Sequence, residues 1–139
     1  MISFIFSIRQ GLRITLSLIY LGFIAFLSLL PSDDFPSVPM FFGADKIVHT
    51  SMYLGLALLV CWSMHAEIKP VWYYLIMLFS VGWGVMMELF QLLMGVGRAF
   101  EFNDIIGNSI GSLIGVFIYM IVARLKRRLD FSESHKTTI

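Results

Sequence analysis

The stretch DIIGNSIGSLIGVFIYMIVA, residues 104–123, carries the two features of the sequence that decide the fold. From residue 105 onward it is apolar over close to the roughly 20 residues that an α-helix needs to cross a hydrocarbon core about 30 Å thick. Gly107, Gly111 and Gly115 recur at every fourth position, so they share one face of that helix. Small residues at this spacing let membrane helices approach each other closely. We therefore predict that this stretch is the fourth membrane helix and that it packs on the second or third through its glycines.

Three further apolar stretches precede this one, at residues 14–30, 47–64 and 71–94. The chain has 58% hydrophobic and 14% charged residues, whereas soluble domains have about 45 to 50% apolar and about 25% charged residues. Its mean hydropathy is +0.85. The sequence thus predicts an all-α integral membrane protein with a compact bundle of four transmembrane helices. This membrane domain would cover residues 14–123, with its last span at 105–123, between an N-terminal segment (1–13) and a basic, then polar, cytoplasmic tail (124–139).

The positions of Lys and Arg predict the orientation of the bundle. Of the 10 such residues, all but Lys46 and Arg98 lie before the first span, in the second connection or in the tail. Because cytoplasmic segments are enriched in positive residues, we expect both termini to be cytoplasmic, in a multi-pass protein of the bacterial cytoplasmic (inner) membrane. The first span lacks an A-x-A-like cleavage site and is interpreted as an uncleaved anchor. Residues 1–8 are also apolar, and they either extend the first helix or lie along the interface.

Charge and cysteine content exclude several classes of function. A formal net charge of +1 is too small to indicate a nucleic-acid partner. The single cysteine, Cys61, excludes an internal disulfide and a cysteine-based zinc site. No cofactor is predicted, and function is expected within the membrane segments.

Polar residues interrupt the apolar spans in three clusters, and the predicted topology brings all three to the outer membrane face. Ionisable groups are costly in membrane spans and usually mark function. Asp45, His49 and Tyr53 recur every four residues, so they share one helical face, and Gly84 and Glu88 share a face of the next span. The predicted pocket consists of Asp45, Lys46, His49, Tyr53, Glu88, Gln91, Arg98, Asp104 and Asn108.

Such a pocket suits recognition of a polar head group, or chemistry on it. A histidine beside a carboxylate can act as general acid or base, so His49 and Glu88 are the candidate catalytic pair. Lys46 and Arg98 would hold a phosphate or carboxylate, assisted by the N-termini of the second and fourth spans. The other polar residues would contact the substrate. Gly84 and the three glycines of the fourth span would serve helix packing.

Structural alternatives exist for most of these residues. Asp104 is also typical of an ordinary helix entrance, and Glu88 could form an ion pair with Arg98. Asn108 and Gln91 could be interhelical hydrogen-bonding residues. His49, Glu88 and Asp104 could be metal ligands, but one histidine without close ligand spacing is weak evidence, so no metal is predicted.

The order of these motifs resembles the VanZ-like family over residues 45–115. The residues that carry the resemblance are DKxxH at 45–49, ExxQ at 88–91, Arg98, and DxxxNxxGxxxG at 104–115. Glu101 departs from the pattern, because a small or neutral residue is expected there. The family takes its name from a membrane protein associated with resistance to the glycopeptide teicoplanin, so the resemblance implies a role in the cell envelope or in antibiotic resistance.

Three hypotheses follow for the function. The pocket could bind a membrane lipid or a lipid-linked envelope precursor by its head group. It could instead be the site of a membrane hydrolase or transferase that uses His49 as acid or base. The third hypothesis is that it is an ion-pair network in a membrane scaffold. Whether the protein is an enzyme and whether it forms a homo-oligomer are both left open. A transporter is disfavoured, because four short helices hardly enclose an alternating-access path.

Overall fold

The computed structural model describes residues 2–30, 43–64, 68–94 and 100–136, and every regular element in these ranges is an α-helix. The helices are α1 (Ile2–Ser7), α2 (Gln10–Leu29), α3 (Ala44–Ser63), α4 (Pro70–Met94) and α5 (Phe102–Lys136). Four of them, α2 to α5, are long and apolar enough to span a membrane. The predicted all-α fold with four membrane-spanning helices is therefore confirmed.

Helix α5 is much longer than the predicted span, because it continues from residue 123 to Lys136. No Pro or Gly interrupts this continuation, and its Arg and Lys residues have high helix propensity. Lys126 and Asp130 form an ion pair at 2.6 Å across one helical turn. The basic part of the tail is thus helical and continuous with the last span.

The N-terminal apolar residues form a separate helix, α1, which ends before α2 begins. The ring of Phe6 packs on that of Tyr119, with centroids 6.2 Å apart. The indole nitrogen of Trp62 donates a hydrogen bond to the backbone carbonyl of Ile5 at 3.1 Å. Helix α1 is therefore attached to the end of α3 and to the middle of α5.

The glycines of α5 pack directly on the backbone of α3. A Cβ atom added at Gly111 would overlap the carbonyl oxygen of Thr50, and one added at Gly115 would lie 2.5 Å from the carbonyl oxygen of Leu54. At Gly107 the nearest atom would be the Thr50 hydroxyl oxygen, at 3.3 Å. The two helices both begin at the same end of the bundle, so this contact makes them a closely packed parallel pair.

Helix α2 is held to α3 by polar contacts. The buried guanidinium of Arg13 donates to the carbonyl oxygens of Trp62 and Met64, at 2.9 and 3.3 Å, where α3 ends. Ser17 donates to the carbonyl of Leu59 at 2.9 Å. A cation at the C-terminal end of a helix also complements the helix dipole. These contacts fix α2 against the end of the bundle opposite to the predicted pocket.

Candidate functional site

The candidate site lies where α3 and α5 begin and α4 ends, which we call the polar end. Helix α3 starts after Gly43, whose φ of 85° is in the left-handed region that favours glycine. Asp45 lies in the first turn of α3, and Asp104 in the first turn of α5. Both carboxylates complement the positive end of their own helix. Two helix N-termini therefore bring acidic residues together at the polar end.

Lys46 is the cation at the centre of these acids. Its Nζ lies 2.6 Å from Asp45 Oδ2, 2.6 Å from Glu101 Oε2 and 2.5 Å from Asp104 Oδ1. The side chains of Asp45 and Glu101 are about half exposed, at 49% and 51%, whereas that of Asp104 is 12% exposed. Because exposed ion pairs contribute little, the contact with Asp104 is the one that most strongly positions the lysine.

Glu101 is a site residue that the sequence reasoning did not assign to the pocket. The family pattern favours a small or neutral residue at this position, yet the Glu101 carboxylate contacts Lys46 and the Glu101 backbone N–H donates to Glu88 Oε2 at 3.2 Å. The signal that could have found it is its charge, close to the start of α5 and on the same side as Lys46.

His49 contacts α5 through both of its ring nitrogens. Nδ1 lies 3.1 Å from Asn108 Oδ1, and Nε2 lies 3.5 Å from Asp104 Oδ2. Asp104 therefore faces Lys46 with one carboxylate oxygen and His49 with the other. The imidazole is held in a defined orientation, as a general acid or base requires.

Glu88 brings α4 into the same cluster. It is 1% exposed. Glu88, His49 and Asp104 each offer one oxygen or nitrogen atom, and these atoms all lie within 4.8 Å of one another. The structure thus brings the two candidate catalytic residues together with Asp104, on three different helices.

Tyr53 and Asn108 lie beside Gly84, deeper in the bundle. A Cβ atom added at Gly84 would lie 2.7 Å from Asn108 Nδ2 and 3.2 Å from Tyr53 Cε1, so the glycine makes room for both side chains. Within the described parts of the chain, Tyr53 Oη and Asn108 Nδ2 are buried without a hydrogen-bond partner. In the described residues, two unsatisfied donors thus lie on side chains beside Gly84, and one of them belongs to the amide that contacts His49.

Gln91 does not join this cluster. Its Nε2 donates to the carbonyl oxygen of Ser28 at 2.7 Å, so the side chain links α4 to α2. Arg98 lies outside the described residues, and so does its predicted ion pair with Glu88.

A cavity of about 630 Å³ opens between α3 and α5 at the polar end. Lys46 lies in its wall, whereas His49 and Glu88 do not line it. The lining residues are Gly43, Asp45, Lys46, Thr50, Glu101, Asn103, Ile106, Gly107 and Ile110. Lys46 thus lines an outer cavity, and its contact with Asp104 connects it to an inner cluster of His49, Glu88 and Asp104.

Two groups of side chains at the polar end could hold a metal ion. One is the inner cluster of His49, Glu88 and Asp104, and the other consists of Asp45, Glu101 and Asp104. The second group already surrounds the ammonium of Lys46, which neutralises it. The first group has the mixed nitrogen and oxygen donors that transition metals prefer.

Comparison with known proteins supports the resemblance seen in the motifs. The family model described as VanZ/LLP1 matches residues 3–123, which is most of the chain. No curated protein and no solved structure matches the chain. The match extends beyond the motifs to the N-terminal helices and to the whole apolar part of α5. This multi-pass membrane protein therefore belongs to the VanZ/LLP1 family.

Proposed function

We propose that the polar end binds the head group of a membrane lipid, or of a lipid-linked envelope precursor, at the outer face of the bacterial cytoplasmic membrane. The cavity between α3 and α5 is the observation that supports this proposal best. Its wall includes the Lys46 ammonium, and also Ile106 and Ile110, which are 44% and 48% exposed on the bundle surface. An amphiphile could contact the ammonium with its head group and the isoleucines with its chain.

The charges around Lys46 indicate which head groups fit. An ammonium has three N–H donors, and in this structure three carboxylates surround it. A ligand anion would replace the half-exposed Asp45 or Glu101 at the lowest cost. The displaced carboxylate would then accept hydrogen bonds from hydroxyl or ammonium groups of the same ligand. A sugar-bearing or zwitterionic head group therefore fits better than a simple phosphate.

Lipid that co-purifies with the protein tests this proposal. We expect wild-type protein in mild detergent to retain a defined lipid species by native mass spectrometry, and the Lys46→Gln variant to lose most of it. Lys69→Gln is the matched control, because it removes the same charge from an exposed position at the opposite end of the bundle. Equal lipid retention by both variants would refute binding at the polar end.

Turnover is the second candidate function, and the orientation of His49 by Asn108 and Asp104 favours it. A base that is oriented by a further group is the usual arrangement for proton transfer to or from a substrate. His49 does not line the outer cavity, so a head group bound there would need to move toward the inner cluster before it could react.

Separate replacement of His49 by Ala and of Glu88 by Gln distinguishes the alternatives in cells. Teicoplanin susceptibility and envelope lipids are measured together with the abundance of each variant in the membrane. Loss of the phenotype at normal abundance, with one lipid species accumulating, indicates turnover. Loss that follows a fall in abundance indicates a structural ion-pair network. A phenotype that survives both replacements contradicts a function of the inner cluster.

A further inference from the structure

His49 makes two polar contacts with α5, and in the neutral ring one of them lacks a hydrogen. Asn108 faces Nδ1 with its carbonyl oxygen, so this hydrogen bond requires a hydrogen on Nδ1. In the neutral ring Nε2 then carries a lone pair, and it faces the Asp104 carboxylate at 3.5 Å. In this arrangement a cation between the two acceptors would stabilise both, and it would be either a second proton on the ring or a metal ion.

The third member of the inner cluster favours a metal ion over a proton. A proton between His49 and Asp104 would involve only two of the three side chains, whereas a metal ion would also be bound by Glu88, which is 1% exposed and places an oxygen within 4.8 Å of the other two donor atoms. Ligand atoms that each lie about 2.1 Å from one ion are at most about 4.2 Å apart, so side-chain shifts of about 1 Å or less would close the site.

Each of the three side chains is also oriented by a separate contact, as metal ligands usually are. Asn108 holds His49 through Nδ1, Lys46 holds the other oxygen of Asp104, and the Glu101 backbone N–H holds Glu88. A carboxylate has about four acceptor positions, so Glu88 can keep this hydrogen bond while it binds an ion.

We propose that His49, Glu88 and Asp104 bind a divalent first-row transition metal ion, Mn²⁺ or Zn²⁺. One imidazole and two carboxylates form a donor set that suits these ions better than Ca²⁺ or Mg²⁺, which prefer oxygen ligands alone. The site rests on the contacts of the inner cluster and does not depend on which lipid the outer cavity binds.

Metal content of the purified protein tests the site without any activity assay. Protein in detergent is freed of metal with a chelator, equilibrated with Mn²⁺ or Zn²⁺, and analysed by inductively coupled plasma mass spectrometry. We expect stoichiometric binding to wild-type protein. His49→Ala and Glu88→Gln should weaken it by more than the roughly 10- to 100-fold that loss of an outer-shell contact costs.

Asp45→Asn is the matched control, because Asp45 belongs only to the group around Lys46. Stoichiometric binding that Asp45→Asn abolishes and His49→Ala leaves intact would overturn the assignment. So would the absence of stoichiometric binding of either ion to wild-type protein.

A spectroscopic measurement covers the case in which the His49 and Glu88 variants fail to fold. Electron spin echo measurements on bound Mn²⁺ detect directly coordinated imidazole nitrogen. The chain has 3 histidines, and the double variant His65→Gln/His135→Gln leaves His49 alone. We expect the nitrogen signal to persist in this double variant, and its disappearance would refute ligation by His49.

Discussion

Replacement of Gly111 by Ala tests the packing on which the candidate site depends. The added methyl group would overlap the carbonyl oxygen of Thr50 and lie 2.9 Å from the Thr50 carbonyl carbon and 3.0 Å from the Leu54 backbone nitrogen. These are all backbone atoms, so no side-chain rotation relieves the overlap. Because apolar contacts are optimal at about 3.5 to 4.0 Å, α3 and α5 must separate by roughly 1 Å.

We expect this separation to lower the free energy of unfolding by about 1–3 kcal/mol, as overpacking usually does. The matched control is Gly82→Ala in α4, because a Cβ atom there would have no neighbour within 4 Å. This control should be neutral, or more stable by up to about 1 kcal/mol, since alanine favours a helix more than glycine does. Unfolding in mixed detergent, followed by tryptophan fluorescence, measures both variants.

The same change should also disturb the candidate site. Asn108 and Asp104 lie on α5 and their partner His49 lies on α3, so a separation of about 1 Å would lengthen the 3.1 Å contact between His49 and Asn108 beyond hydrogen-bond range. Gly111→Ala should therefore lose lipid and metal binding as well as stability. Equal stability of Gly111→Ala and Gly82→Ala would refute close packing of α3 and α5 through this face.

Three other substitutions test single contacts. Arg13→Gln should lower the free energy of unfolding by about 1–3 kcal/mol, because it removes a buried donor from the carbonyls at the end of α3, whereas Arg9→Gln at an exposed position should be neutral in the same measurement. Gln91→Leu should cost about 0.6 to 2 kcal/mol of stability and leave metal content unchanged, because its amide bonds to α2 and not to the inner cluster; loss of metal would place it in the site. Asn108→Ala should weaken metal binding about 10- to 100-fold through the orientation of His49, and unchanged affinity in a dialysis titration would contradict that role.

The membrane spans and their number were predictable because they depend on the local apolar sequence alone. The spacing of Gly107, Gly111 and Gly115 also predicted a packing face. It left open whether the partner is the second span (α3) or the third (α4), because a small-residue face fits any helix whose backbone is accessible. The sequence did not predict the extension of α5 to Lys136, because a basic run is typical of the end of a membrane span, although the same residues favour a helix.

The candidate site was predictable in outline, since the helix directions bring Asp45, His49, Glu88 and Asp104 to one end of the bundle. The individual contacts were not predictable. Gln91 is near Glu88 in sequence, yet it bonds to Ser28 on another helix. Which of two neighbouring polar side chains faces a given helix depends on rotations and distances that spacing does not specify.

The position of Asp104 has a consequence for how variants of this protein will combine. One carboxylate contacts Lys46 in the wall of the outer cavity and His49 in the inner cluster. Substitutions at Lys46 and His49 therefore share a partner, and residues that share a partner commonly deviate from additivity by about 0.5 to 3 kcal/mol. A measurement on either residue alone will thus contain a contribution from the other. A double-mutant cycle on Lys46 and His49 measures this coupling, and so separates head-group binding from metal binding.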